Sequence, residues 1–222
     1  MNHKYLLAIA LLFTCISTHA QNAFRKRSLL LSISEGITPS TYTTTNVTKN
    51  NETPYSHYSK MDGVRDPLFI EFGLTNRWGI GLSTGNDLFD IDPNKYYGFH
   101  LSDNREVNVK TSEFTFDVNY HFYTRQRIDW SVYTSVGSFG VAFDAKDGAN
   151  NYTYNAKGGI IRMGTKLRYY FWGRLGALGM LSTYSGTASP ENIGSNNIAS
   201  AKNTETSISG YALEFGLCFR FF

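Results

Sequence analysis

Residues 210–222 read Gly210-Tyr211-Ala212-Leu213-Glu214-Phe215-Gly216-Leu217-Cys218-Phe219-Arg220-Phe221-Phe222. Tyr211, Leu213, Phe215, Leu217, Phe219 and Phe221 fall on one parity, and Gly210, Ala212, Glu214, Gly216, Cys218 and Arg220 on the other. Successive side chains of a strand point to opposite faces. One face is therefore bulky and uncharged, and the other is small with one acid and one base. This predicts a strand whose two faces meet different surroundings.

The pattern recurs upstream. Over residues 107–123, Phe114, Phe116, Val118, Tyr120 and Phe122 alternate with Glu113, Thr115, Asp117, Asn119 and His121. Over 128–137, Ile128, Trp130, Val132, Thr134 and Val136 alternate with Asp129, Ser131, Tyr133, Ser135 and Gly137. Over 161–171, Ile161, Met163, Thr165, Leu167, Tyr169 and Phe171 alternate with Arg162, Gly164, Lys166, Arg168 and Tyr170. Shorter versions occupy 28–38, 67–75 and 78–85. Residues 175–184 carry apolar side chains on both parities, which leaves their faces unassigned. Eight strands result. Polar stretches 39–66, 86–106, 144–156 and 185–207 have no helical period and read as loops. Tight turns lie at 76–77, 124–127 and 173.

Long and short connections alternate strictly. The expected fold is all-β: an eight-stranded antiparallel up-and-down transmembrane β-barrel with short periplasmic turns and four long external loops. A soluble barrel would turn the bulky face inward. An eight-stranded barrel is only just wide enough for its lumen to be filled by side chains, so the small face suits the lumen. Charge agrees. Glu71, Glu113, Asp117 and Glu214 share the small face with Arg162, Lys166, Arg168 and Arg220. Facing lipid, each base would cost about 2–4 kcal/mol near the midplane; facing inward, acids and bases pair. An internal salt-bridge network is expected. Trp78, Phe122, Tyr123, Trp130, Phe171, Trp172, Phe219 and Phe221 gather beside the turns or the C-terminus, as an interfacial aromatic belt requires.

The N-terminus reads as a secretory signal over 1–20. Lys4 supplies charge, Leu6 to Phe13 the apolar run and Thr18-His19-Ala20 the small residues before the cut. The barrel domain then covers 21–222. Losing Lys4 lowers the formal charge from +3 to +2, which argues against nucleic acid as a partner. Cys15 leaves with the signal, so Cys218 has no intrachain partner and a disulfide scaffold is excluded. No later segment approaches the roughly 18 consecutive apolar residues of a membrane helix, so a membrane-crossing chain would cross as a closed barrel.

The signal, Gly73-Leu74-Thr75-Asn76-Arg77-Trp78-Gly79-Ile80-Gly81 and the ending Gly216-Leu217-Cys218-Phe219-Arg220-Phe221 together resemble the small eight-stranded outer-membrane proteins of the OmpX and OmpA barrel type. The nearest likeness is the outer-membrane β-barrel domain common in Bacteroidetes, across essentially the whole mature chain. The resemblance implies residence in the cell outer membrane of a Gram-negative bacterium, contact with outer-membrane lipid and lipopolysaccharide, and delivery by the barrel assembly machinery through the C-terminal strand. One departure is visible: Phe222 lies one residue past the register in which the family's terminal aromatic normally sits.

Motifs for chemistry are sparse. His100-Leu101-Ser102 with Glu106 resembles the His-x-Ser pair and acid of barrel-type lipid A deacylases, but it falls in a stretch read as loop. Asp90-Ile91-Asp92-Pro93-Asn94 begins like a calcium loop, yet Lys95 stands where the turn glycine belongs and Leu101 where the distal acid belongs. His57, His100 and His121 lack metal-ligand spacing. Asn46-Val47-Thr48 and Asn151-Tyr152-Thr153 reflect Asn/Thr-rich loops. No catalytic, cofactor or metal residues are therefore assigned. The expected role is non-enzymatic, structural or surface-interacting. Loop tyrosines Tyr42, Tyr55, Tyr58, Tyr96, Tyr97, Tyr152 and Tyr154 would meet an extracellular partner. A narrow porin-like channel for small solutes and a lipid A-modifying enzyme are the alternatives.

Overall fold

A computed structural model describes residues 23–46, 56–90, 105–147, 150–194 and 204–222. These form ten strands: β1 (Leu29–Ile37), β2 (Ser40–Asn46), β3 (Ser56–Arg65), β4 (Leu68–Gly73), β5 (Trp78–Asp90), β6 (Arg105–Thr124), β7 (Ile128–Asp147), β8 (Asn150–Trp172), β9 (Leu175–Gly194) and β10 (Thr204–Arg220). All pairings are antiparallel, and they close on themselves into a barrel, with β10 against β1 and β1 against β4.

The count is ten rather than eight because two prolines interrupt the ladder. Proline has no N–H to donate, so it is confined to edges and breaks. Thr38-Pro39 separates β1 from β2, yet both strands lie along β10. Asp66-Pro67 separates β3 from β4, yet both lie along β5. Neighbouring groups carry the register across: Tyr211 N donates to Pro39 O (3.1 Å) and Asp66 N to Asn86 O (3.2 Å).

The second difference is the length of the strands. Residues 39–66, 86–106, 144–156 and 185–207 read as loops in the sequence, but most of the described ones extend the wall. β2 and β3 pair through Ser40–Thr45 and Ser56–Met61, β6 begins at Arg105, and β7 runs to Asp147. The turns at the other end are as expected. Gly173 has φ +42°, the left-handed region a tight β8–β9 turn needs and glycine adopts without steric cost.

Face assignment follows the predicted parity. Phe114, Phe116, Val132, Val136, Ile161, Leu213 and Phe215 are exposed on the outer wall, whereas Thr115, Asp117, Ser131, Arg162 and Glu214 are buried. The structure also settles 175–184. Leu178, Met180 and Tyr184 point inward, while Ala177 and Leu181 point outward. Large apolar residues inside made this segment unreadable as a simple alternation.

Candidate functional site

The lumen holds the chain's concentrated chemistry, in three layers. Nearest the turns, Glu71 on β4, His121 on β6, Asp129 on β7 and Arg168 on β8 form a closed ring. Arg168 Nη2 donates to Glu71 Oε2 (2.6 Å) and Nη1 to Asp129 Oδ2 (2.8 Å). His121 Nε2 lies 2.7 Å from Glu71 Oε1, and Nδ1 lies 2.6 Å from Asp129 Oδ1. With both carboxylates ionised, each ring nitrogen must carry a proton for both contacts to be hydrogen bonds. Phe24 covers it from the turn end, stacked on the imidazole at 3.4 Å between centroids and 8° between planes. Phe24 is itself fully buried, held by its N–H to Thr124 Oγ1 (3.1 Å) and by Ala23 N to Arg125 O (2.8 Å).

Above this ring, Lys166 Nζ donates to Asn119 Oδ1 (3.1 Å) and stands 3.9 Å from Asp117 Oδ2. It also sits over the Phe69 and Tyr133 rings at 4.5 and 4.2 Å. Asp117 Oδ1 accepts from Ser83 and Thr115. Higher still, Arg65 on β3 pairs with Asp87 (3.1 Å) and Glu113, and its Nε stands 3.3 Å from Glu214 Oε1. Arg162 joins Glu113 (3.0 Å) to Ser182 (3.1 Å). Thr111 and Ser34 donate to Asp87 and Glu214. The loop end is filled by apolar side chains, among them Phe89, Val109, Phe139, Val141, Phe143 and Ile208.

The internal network is thus present, and all eight residues predicted for it are buried. Seven take part in the ion pairs above. Arg220 instead donates to Gly173 O (2.8 Å) and lies over Tyr170 at 5.1 Å. Four members were missed. Arg65 and Asp87 lay in stretches read as loop. His121 and Asp129 lay on the correct face but were not counted; the tight turn at 124–127 sets His121 opposite Ser131, two residues from Asp129, and could have linked them. With these added, the buried charged groups among the described residues are six acids against five Lys and Arg plus His121. That set is neutral when His121 is protonated. Burying a charge is tolerable only when it is paired and hydrogen-bonded, which explains the balance. Gly79 and Gly85 make room for it: a Cβ at either would run into the Glu71 carboxylate or the Arg65 guanidinium.

The remaining candidates fare differently. Tyr42, expected on a loop, is buried in the apolar layer; Tyr58 is exposed. His100, Ser102, residues 91–95, Tyr55, Tyr96 and Tyr97 lie outside the described residues, as does the predicted signal. Side chains of Glu106, Tyr152 and Tyr154 lie outside them too. The aromatic belt stands at the turn end, with Trp78, Phe122, Tyr123, Trp130 and Trp172 exposed and Phe122 packed on Trp130 at 5.0 Å.

No family model matches the chain, and no curated protein sequence matches it. Its architecture, however, is shared with solved structures. The outer membrane protein OprG from Pseudomonas aeruginosa superposes with a TM-score of 0.53 at 11% identity, covering 89% of this chain and 97% of that one. The outer membrane protease OmpT from Escherichia coli gives 0.52 at 8% identity, covering 87% and 97%. A major outer membrane protein from Thermus thermophilus gives 0.51 at 13%, covering 84% and 99%. At such identities the likeness is one of fold, and the fold is that of the outer-membrane β-barrels.

Proposed function

We propose that this protein is a non-enzymatic integral protein of the cell outer membrane that acts through its external end, as a structural or surface-interaction protein. With each proline-broken pair counted as one crossing, the barrel crosses the membrane eight times, its turns periplasmic and its extended strands outside. The observation that carries this reading is the lumen: among the described residues, the Phe24 cap, the ionic layers and the apolar fill follow one another along it. A filled lumen favours a surface role over a channel, because conduction needs a continuous wet path. OmpT, named a protease, shares only the fold. Here the lumen acids are bound to Arg, Lys and His side chains. On this reading the wall meets outer-membrane lipid and lipopolysaccharide, the barrel assembly machinery reads β10, and an extracellular partner meets the outer loops.

The test is electrophoresis of the isolated outer-membrane fraction, unheated and boiled, followed by planar-bilayer recording. Cold resistance to detergent, a mobility shift on boiling and silent bilayers are expected. A soluble band without a shift contradicts the membrane assignment. Conductance steps that change in Glu113→Gln favour the channel instead.

A further inference from the structure

The two ends of the barrel carry opposite charge. The turn end comprises residues 23–28, 74–77, 124–127 and 173–174, and it contributes Arg25, Lys26, Arg27, Arg77, Arg125, Arg127 and Arg174. No Asp or Glu lies among those residues. At the loop end, where side chains are described, the exposed groups are Glu35, Asp62, Asp66, Asp90, Asp144 and Glu205 against Lys60, Lys110 and Lys157.

The seven cations stand on the rim of this end, and hydrogen bonds tie its N-terminal segment to the turns. Arg27 N donates to Gly73 O (2.7 Å), Lys26 N to Asn76 Oδ1 (2.9 Å) and Ala23 N to Arg125 O (2.8 Å), so the N-terminal segment ties two turns together. Arg220 N donates to Arg174 O (2.8 Å), which fixes the end of β10 to the same rim. Among the described residues, none of the seven is paired with an acid. Arg77 reaches only the Tyr120 hydroxyl (3.5 Å), and Arg125 only the face of Tyr123 (6.0 Å). A concentration of like charges without acids among them raises the local concentration of anions.

The level of the rim indicates the anion. Trp78, Trp130 and Trp172, the chain's three tryptophans, stand exposed beside it. Indole rings settle at headgroup depth, so the guanidinium groups lie at the phosphate layer. Arginine matches phosphate with a planar, two-pronged donor set.

We propose that this rim binds the headgroups of anionic phospholipids in the leaflet on the turn side, drawing them around the barrel in preference to zwitterionic ones. The proposal rests on the membrane orientation given above.

The tryptophans supply a local readout. The full mature chain is placed in phosphatidylcholine vesicles containing a minor fraction of brominated phosphatidylglycerol, or the same fraction of brominated phosphatidylcholine. Basic residues near a membrane surface each add appreciable attraction for acidic lipid. Quenching by the brominated phosphatidylglycerol should therefore be stronger, about twofold or more. The excess should shrink in molar salt, where the Debye length falls to about 3 Å. It should vanish when all seven residues are changed to Gln, weaken but persist when the six arginines are changed to Lys, and fall in the milder Arg77→Gln, Arg125→Gln, Arg127→Gln variant. Equal quenching by the two lipids, or an excess untouched by neutralisation, overturns the proposal. Each sample is also run unheated and boiled. Wild-type protein that shows no mobility shift means the barrel reading has failed, whereas a normal shift without lipid preference means only the rim proposal has failed.

Discussion

The same strands are built in opposite senses at their two ends. In the turn half of β7, Trp130, Val132 and Val136 face outward while Asp129, Ser131 and Ser135 face the lumen. In its loop half, Phe139, Val141 and Phe143 face the lumen while Ser138, Gly140 and Asp144 face outward. β6 does the same: Phe114, Phe116 and Phe122 lie outside Thr115, Asp117 and His121, and further along Lys110 lies outside Val109 and Thr111. The chain keeps one parity, and what changes is the solvent around the wall. Lipid takes apolar side chains and excludes charge, so the lumen there must hold the polar groups and pair them. Beyond the lipid, water takes the polar face and the lumen becomes an ordinary apolar core. The inversion teaches that this is one barrel in two media.

The largest expected effect breaks the turn half from within. Glu71→Ala leaves both Arg168 and His121 with one carboxylate fewer, and loss of a partner from a buried ionic group costs about 3–5 kcal/mol. Urea unfolding in lipid vesicles should show it as a lowered midpoint. In the loop half the comparable blow is apolar: Phe143→Ala opens a cavity worth about 3–5 kcal/mol, whereas a charged lumen there would leave that variant near wild type by the same assay. Val132→Arg on the outer wall should cost about 2–4 kcal/mol if that face meets lipid. Ala142→Arg, ten residues further along the same parity, should stay within about 0.5 kcal/mol. Equal costs at 132 and 142 would erase the boundary between the halves.

Outside 175–184, where Leu178 and Met180 enter the lumen, the turn half was legible in the sequence because its two parities differ sharply in chemistry. Phe114, Phe116 and Phe122 against Glu113, Asp117 and His121 leave little choice of face. The loop half was not legible. Outward Ser, Thr, Asn and Lys are also the vocabulary of loops, and inward residues such as Thr44, Ser59 and Thr111 dilute the apolar parity. Tyr42, Phe89 and Val109, scattered among polar neighbours, form a core only once four hairpins converge on them. Arg65 and Asp87 were lost with those stretches, although they are direct neighbours across β3 and β5. Pro39 and Pro67 reinforced the misreading. Each looks like the end of a strand, and each is a break after which the wall continues.

Spin-label accessibility along the outer face of β7 tests the inversion most directly. With Cys218 changed to Ser, single cysteines are placed in turn at 132, 134, 136, 138, 140, 142 and 144, labelled, and reconstituted in vesicles. Collision with dissolved oxygen should dominate at 132, 134 and 136, and collision with a water-soluble nickel chelate should dominate from 138 onward. Nickel accessibility at all seven positions would mean that no part of this face meets lipid, and oxygen dominance at all seven would mean that the loop half does not project into water.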